Sequence, residues 1–194
     1  NAVKKLTYQM CIWLNGYIGN TLLDKIVRVW KILDPAQVLD RLHEETQIVL
    51  RQEETKNNSG MDVVVFTMEP HGDKHQKIVY AGAKNPLHYS TDLKELQTVK
   101  GDRKAIGGIQ PDFNFTSHEL VLPNGSIIYA ATDGLQDQNN KKRRVLGSKK
   151  VFDLLRENLR KPLSQQQKEI ERVLDTHMEG TTQRDDMLFM GVKL

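Results

Sequence analysis

Two short acidic segments in the sequence carry the groups needed to hold a hard cation: Thr132-Asp133-Gly134 and Arg184-Asp185-Asp186. The first closes the apolar run Ser126–Ala131, and the second leads into the alternating run Met187–Leu194. A carboxylate at the end of a rigid strand, followed by glycine, stays fixed while the backbone turns away from the ion. Ordinary turn chemistry competes with this reading, because Asp-Gly is also a common turn dipeptide. Asp62, which begins the run Val63-Val64-Val65-Phe66, is a weaker candidate for the same cation, and a turn residue at a strand edge is the simpler reading.

Other chemistries lack their residues. The six histidines are scattered, and none stands in a His-Glu-x-x-His or other transition-metal spacing, so surface or hydrogen-bonded roles are expected of them. Gly107-Gly108 has no following Gly-Lys-Ser/Thr and is not a nucleotide-binding loop. The single cysteine, Cys11, excludes an internal disulfide and a multi-cysteine zinc site, which suits a reducing, cytoplasmic compartment. A formal charge of +3, spread over both signs, argues against nucleic acid as a partner. The one basic run, Lys141-Lys142-Arg143-Arg144, reads as a solvated loop among polar residues. No apolar run approaches the ~20 residues that span a bilayer, so no membrane contact is expected. The apolar stretch Met10–Ile18, with Trp13 and Tyr17, leaves core burial and a homodimer surface both open.

Helices and strands must position these groups. Ile18, Leu22, Leu23, Ile26, Val27, Trp30 and Leu33 recur at three- and four-residue steps, predicting a helix over 18–33. Asp34-Pro35 supplies an N-cap and a first-turn proline for a second helix, which runs to about residue 53. Val63–Phe66 is β-branched and continuous, the pattern of a strand buried on both faces. Lys77–Ala83, Leu93–Val99, His118–Leu122 and Ser126–Ala131 read as further strands, and the first ten residues show no clear period. Ser148 can cap a helix, Ser164 with Gln167 forms a capping-box pattern for another, and Gly180 suits its stop. Runs of strands between helices favour antiparallel sheets, an α+β class with helix layered on sheet. The 194 residues suit one domain, 1–194, with 1–17 lying ahead of the first helical period. Asn rather than Met stands first, so the natural start is expected to lie upstream.

The order of the segments carries more than any one of them. Tyr80-Ala81-Gly82-Ala83-Lys84-Asn85-Pro86 comes first. Ile128-Tyr129-Ala130-Ala131-Thr132-Asp133-Gly134 follows the turn Leu122-Pro123-Asn124-Gly125, and Asp185-Asp186-Met187 precedes a closing strand. With the helix start Asp34–Leu39 and the Ile106-Gly107-Gly108 turn, this set resembles the bacterial serine phosphatases of the sporulation stage II E (SpoIIE-like) type. These form a branch of the metal-dependent protein phosphatase 2C-like (PPM) family, and the resemblance covers roughly residues 18–194.

The resemblance implies a layered α-β-β-α sandwich with mainly antiparallel sheets. It implies direct hydrolysis of phosphoserine or phosphothreonine with two Mn²⁺ or Mg²⁺ ions, which lower the pKa of water and neutralise phosphoryl oxygens. Asp133 matches the metal ligand of the Thr-Asp-Gly segment, with Gly134 as the adjoining backbone, and Asp185 matches the first of the closing pair. Asp186 is then the weaker ligand and orients its neighbour. Lys84 stands where the family often has histidine; it and Asn85 become candidates for substrate contact, although a solvated lysine explains Lys84 as well. The implied partners are a phosphorylated protein, such as an anti-anti-sigma (STAS) protein, and a sensor domain upstream in the same natural protein.

One family element has no counterpart. An Asp-x-x-Gly-His-Gly segment should precede the first long helix and give a carboxylate to both metals. Here Gln9–Tyr17 contains neither Asp nor Gly-x-Gly, and the eight residues before it leave little room for the family's leading strands. Two aspartates must then balance two cations, and the site holds one ion or none. Either the N-terminal part is incomplete or altered, or the domain is a degenerate relative. The expectation is a slow protein serine/threonine phosphatase; the alternative is a catalytically degenerate signalling module that docks a regulatory partner.

Overall fold

A computed structural model of the chain describes residues 5–10, 16–109 and 114–194, with side chains described from Gly19 onward. The elements begin with β1 (Lys5–Met10), α1 (Gly16–Asp24), a π-helical turn (Lys25–Val29), α2 (Pro35–Val49) and α3 (Gln52–Thr55). Then come β2 (Gly60–Met61), β3 (Val63–His71), β4 (His75–Ala83), β5 (Leu87–Ser90) and β6 (Gln97–Val99). They are followed by β7 (Ile106–Gly107), β8 (His118–Pro123), β9 (Ile127–Ala131) and α4 (Gly134–Asp137). The last are α5 (Ser148–Asn158), α6 (Leu163–Met178) and β10 (Phe189–Lys193). This is an α+β fold with antiparallel sheets, as the sequence predicts. The chain divides into two compact units, Asn1–Leu87 with Val99–Asn124, and His88–Thr98 with Gly125–Leu194.

The first unit is built on a sheet of order β1-β3-β4-β8. Val63–Phe66 is fully buried, as its unbroken apolar run predicts. Val63 and Val65 of β3, with Ala81 and Ala83 of β4, pack with Val38, Leu39 and Leu42 of α2 and with Leu22, Leu23 and Ile26. The start of α2 is the predicted one. Asp34 Oδ1 accepts from Gln37 N at 3.1 Å, Pro35 opens the helix, and the Ser117 hydroxyl donates to both Asp34 oxygens at 3.2 Å. A small pairing of β2 with β7 completes this unit.

Several boundaries differ from the sequence reading. The first helix does not continue to Leu33: it widens into the π-turn, leaves Val29 70% exposed, and ends where Lys31 adopts φ +59. Arg51, at φ +48, likewise separates α2 from the one-turn α3, so α2 stops short of residue 53. Lys5–Met10, which has no clear period, is a strand because it pairs along β3 from Lys5↔Met68 to Met10↔Val63. One six-residue strand therefore does fit ahead of the first helix.

The second unit carries a sheet of order β10-β9-β5-β6. Ile127 and Tyr129 of β9 pack with Leu155 and Leu159 of α5 and Ile170 of α6. The buried Tyr129 hydroxyl donates to Gln166 Oε1 at 2.6 Å. Expected strand Leu93–Val99 is a strand only from Gln97, because the Asp92 carboxylate accepts from Lys94 N and Glu95 N and folds that stretch into a turn. The two expected serine caps are absent. Ser148 is already the first residue of α5, and α6 begins at Leu163 behind Pro162, so the Gln167 side chain donates to Glu171 instead. Gly180, at φ +68, does follow the end of α6.

Candidate metal centre

Asp133, Gly134, Asp185 and Asp186 all belong to the second unit, and the sheet explains how two of its segments meet. β10 runs antiparallel to β9 with Phe189 opposite Ala131. The pairing continues one residue further through Thr132. Its N–H donates to Leu188 O at 2.9 Å, its hydroxyl accepts from Leu188 N at 3.0 Å, and the same hydroxyl donates to Asp186 O at 2.9 Å. Thr132 is buried, so this side chain substitutes for a rung of the ladder and holds the approach to β10 beside the end of β9. The register keeps Met187 and Leu188 outside the strand proper, which begins at Phe189.

Gly134 then lies directly against the second segment. A Cβ there would overlap the Asp186 carbonyl oxygen and come within 3.1 Å of the Asp186 carbonyl carbon and 3.3 Å of Asp185 Cβ. Glycine is required at this position by close approach of two backbones, not by a left-handed φ. Asp133 stands just before α4 in helical conformation; its main-chain oxygen accepts from Asp137 N at 2.9 Å, but its carboxylate makes no cap bond to that helix. Asp133 and Asp185 are half-buried, whereas Asp186 is exposed. Asp185 Oδ1 accepts from Asp186 N at 2.6 Å, which turns the pair so that its two side chains are not equivalent.

Gln138 is a site residue that motif reading misses. It is 1% exposed, and its Oε1 accepts from Arg184 N at 3.1 Å while its Nε2 donates to Thr182 O at 3.1 Å. A buried glutamine four residues past the Asp-Gly pair therefore fixes the strand of chain that delivers Asp185. Only its burial and partners reveal the role, and neither is written in local sequence.

Asp62, Lys84 and Asn85 belong to the first unit. Asp62 is half-buried between β2 and β3. Lys84 is exposed at φ +59, and its N–H donates to Asp102 O at 2.8 Å. Asn85 is 4% exposed, and its main-chain oxygen accepts from the buried Tyr80 hydroxyl. The Ile106-Gly107-Gly108 turn is held by side chains from α2 and α3. Gly107 N donates to His43 Nδ1 at 2.9 Å, Gly108 N to Gln52 Oε1 at 2.6 Å, and Gln47 Nε2 to Gly108 O at 2.9 Å. Burial, helped by the nearby Lys104 charge, lowers the His43 pKa, in keeping with a neutral ring that accepts through Nδ1.

Gly134 lets the Asp133 and Asp185-Asp186 segments approach closely, and that approach is what the structure contributes to the expected cation site. Among the described residues, no group of three or more His, Cys, Asp or Glu side chains is placed to hold a metal ion. These residues therefore do not supply a two-ion centre. The segment Gln9–Tyr17, where a further carboxylate is expected and missing, lies largely outside the described residues.

This α+β fold is that of the protein phosphatase 2C-like domains. The SiaA-PP2C domain of Pseudomonas aeruginosa superposes with a TM-score of 0.79 at 24% identity, over 100% of this chain and 81% of that one. The PP2C phosphatase domain of SpoIIE from Bacillus subtilis, solved with a fragment of its regulatory domain, gives 0.66 at 11% identity, over 97% of this chain and 58% of that one. The catalytic domain of the serine/threonine phosphatase PstP, in complex with two manganese ions, gives 0.52 at 13% identity, over 100% and 91%. No curated protein matches the sequence. Residues 20–194 match the family described as Stage II sporulation protein E (SpoIIE), and the chain belongs to that family.

Proposed function

We propose that this chain is a protein serine/threonine phosphatase domain of a bacterial signalling pathway, dependent on Mn²⁺ or Mg²⁺ and slow in the form described. The observation that carries the proposal is the Thr132 clamp, which brings Asp133-Gly134 against Asp185-Asp186 across a gap of more than fifty residues. Divalent cations, when bound, lower the pKa of water and neutralise phosphoryl charge. The chain's own part is to hold Asp133 and Asp185 side by side at the end of β9 and, through Gln138, to keep the Asp185 segment from drifting. Lys84, exposed and with its N–H bonded to Asp102 O, is the residue proposed to meet the phosphoprotein. A phosphorylated anti-anti-sigma (STAS) protein is the proposed substrate and a sensor domain in the same natural protein the proposed controller, in the cytoplasm.

The second reading, a signalling module that docks a partner without turnover, draws its support from Gln9–Tyr17, which contains no carboxylate. Phosphate release from a phosphoserine peptide with and without Mn²⁺ separates the two. Slow, Mn²⁺-dependent release that disappears in Asp133→Asn supports the phosphatase; release that is absent, or indifferent to that change, supports the docking module.

A further inference from the structure

The basic run Lys141–Arg144 is not a loose loop. Asn140 folds it: its N–H donates to Arg144 O at 3.0 Å, and its Oδ1 accepts from Lys142 N and Arg144 N at 2.9 and 3.1 Å. Asn139 pairs with Val145 across the base, and Arg143 takes φ +56 near the tip. The folded loop is fastened to the end of α6, where His177 Nε2 lies 3.1 Å from Gln138 O and the Thr181 hydroxyl donates to Asn139 O at 3.3 Å. The Lys141 stem passes over Gly180, where any Cβ would collide with it.

Between this loop, α5 and α6 lies a cavity of about 580 Å³, whose lining includes Lys141, Lys142, Arg144, Lys150 and Arg172. Glu179 is the acidic residue of the lining. Among the described residues, Lys141, Lys142, Arg144 and Lys150 have no ion-pair partner, while Arg172 engages Glu169 at 3.0 Å. Like charges gathered at fixed positions repel one another, and an anion placed among them relieves that repulsion. The ring in the lining is the imidazole of His177, whose Nε2 lies 3.1 Å from Gln138 O, and no Phe, Tyr or Trp side chain of the lining offers a larger face on which to stack a base. Its volume lies in the range of small-molecule pockets and exceeds what one orthophosphate fills.

We propose that this cavity binds an oligophosphate, a chain of two or more phosphates, carried either by a free polyphosphate or by a nucleoside polyphosphate. Arg144 and Arg172 offer forked donors and the lysines point charges, a combination matched to successive phosphates along a short chain. The proposal does not depend on the phosphatase reading. It does bear on it, because Gln138 joins the loop that lines the cavity to the segment that carries Asp185.

Calorimetry on the chain in metal-free buffer, with tripolyphosphate, ATP and orthophosphate as titrants, tests the proposal. Tripolyphosphate should bind once per chain, at least tenfold more tightly than orthophosphate. ATP binding within threefold of tripolyphosphate points to a nucleotide source, and ATP binding tenfold weaker to a free polyphosphate. Lys142→Glu/Arg144→Glu should weaken tripolyphosphate at least tenfold. Lys150→Glu, on α5 and outside the loop, should weaken it severalfold even if the loop variant is unfolded by circular dichroism. The exposed first-unit pair Lys100→Glu/Arg103→Glu, with the same charge change, should leave affinity within twofold. Equal affinity for orthophosphate overturns the proposal, as does an equal loss in the Lys100/Arg103 variant. So does tenfold tighter binding of a single-stranded oligonucleotide, which would make the surface a nucleic-acid contact.

Discussion

Thr132 and Asp186 stand 54 residues apart in sequence, yet the Thr132 hydroxyl donates to the Asp186 carbonyl oxygen at 2.9 Å while accepting from Leu188 N at 3.0 Å. One buried hydroxyl thus satisfies two backbone groups of the segment that carries the acidic pair. Thr132→Val keeps the shape and removes both bonds. A hydrogen bond of this kind contributes about 0.5–1.5 kcal/mol, and these two lie in a partly buried junction, so their joint loss costs about 1–3 kcal/mol. Urea denaturation should show a loss of that size, and Thr132→Ser should recover most of it. An unchanged midpoint in Thr132→Val would mean that the hydroxyl does not hold the segment.

Gly134→Ala acts on the same junction from the other side. The new methyl would meet the Asp186 carbonyl group, which is backbone and cannot swing aside. Overpacking of this kind costs typically about 1–3 kcal/mol. The separation of the two segments should also lower Mn²⁺ affinity by more than the stability loss explains, as titration of the still-folded variant would show. Gly125→Ala, at a turn where the added Cβ meets nothing within 4 Å but φ is +92, is a control that should cost stability through backbone strain and leave Mn²⁺ binding unchanged.

Mn²⁺ should bind the intact chain weakly, and Asp133→Ala should reduce that binding sharply, because it removes one of the two carboxylates proposed as ligands. Asp185→Ala should do nearly the same, and Asp186→Ala less, since Asp186 is exposed and its N–H serves to orient Asp185. Unchanged affinity in Asp133→Ala would place the metal elsewhere.

His43 gives the fold a pH dependence of known sign. Burial lowers its folded pKa, and its Nδ1 must stay unprotonated to accept from Gly107 N. The unfolded chain therefore binds more protons than the folded one below the ordinary histidine value of about 6.5. Stability contributed by the neutral ring is complete above that value and declines as the pH falls toward the lowered folded pKa. His88, also lowered by burial, adds in the same direction. Denaturation midpoints between pH 7.5 and 5.5 should fall in the parent chain and fall less steeply in His43→Gln.

Local signals announced some of this architecture and not the rest. Asp34-Pro35 and the valine run 63–65 announce α2 and β3 because capping and continuous burial act through adjacent residues. The acidic segments are equally visible, as residue types at strand ends. Strand β1 is not, since an edge strand of mixed composition is defined by the partner it pairs with. Nor can local sequence show that His43 and Gln52 reach the Gly107-Gly108 turn, bonds that span 64 and 56 residues. The basic loop shows the same limit in reverse. Its charges are plain, but the Asn140 bonds and the α6 contacts that make it a wall come only with the fold.

Turnover is the most exacting test of the site. Hydrolysis by the two-ion route needs both cations held at once, and the sequence Gln9–Tyr17 supplies no carboxylate for the second. With Asp133 and Asp185 as the proposed ligands, each ion would be short of anionic partners, so the fraction of chains carrying both should be small even in millimolar Mn²⁺. A missing bridging ligand should cost at least a few kcal/mol of transition-state stabilisation, roughly 10²-fold or more in rate. The chain should therefore release phosphate from a phosphoserine peptide very slowly. Replacing part of Gln9–Tyr17 with an Asp-x-x-Gly-x-Gly segment should raise the rate by about that factor, and adding Asp133→Asn should remove the gain. Rapid Mn²⁺-dependent turnover by the unaltered chain would show that another carboxylate completes the site. Asp62, half-buried ahead of β3, would be the first to substitute, and loss of activity in Asp62→Asn would identify it.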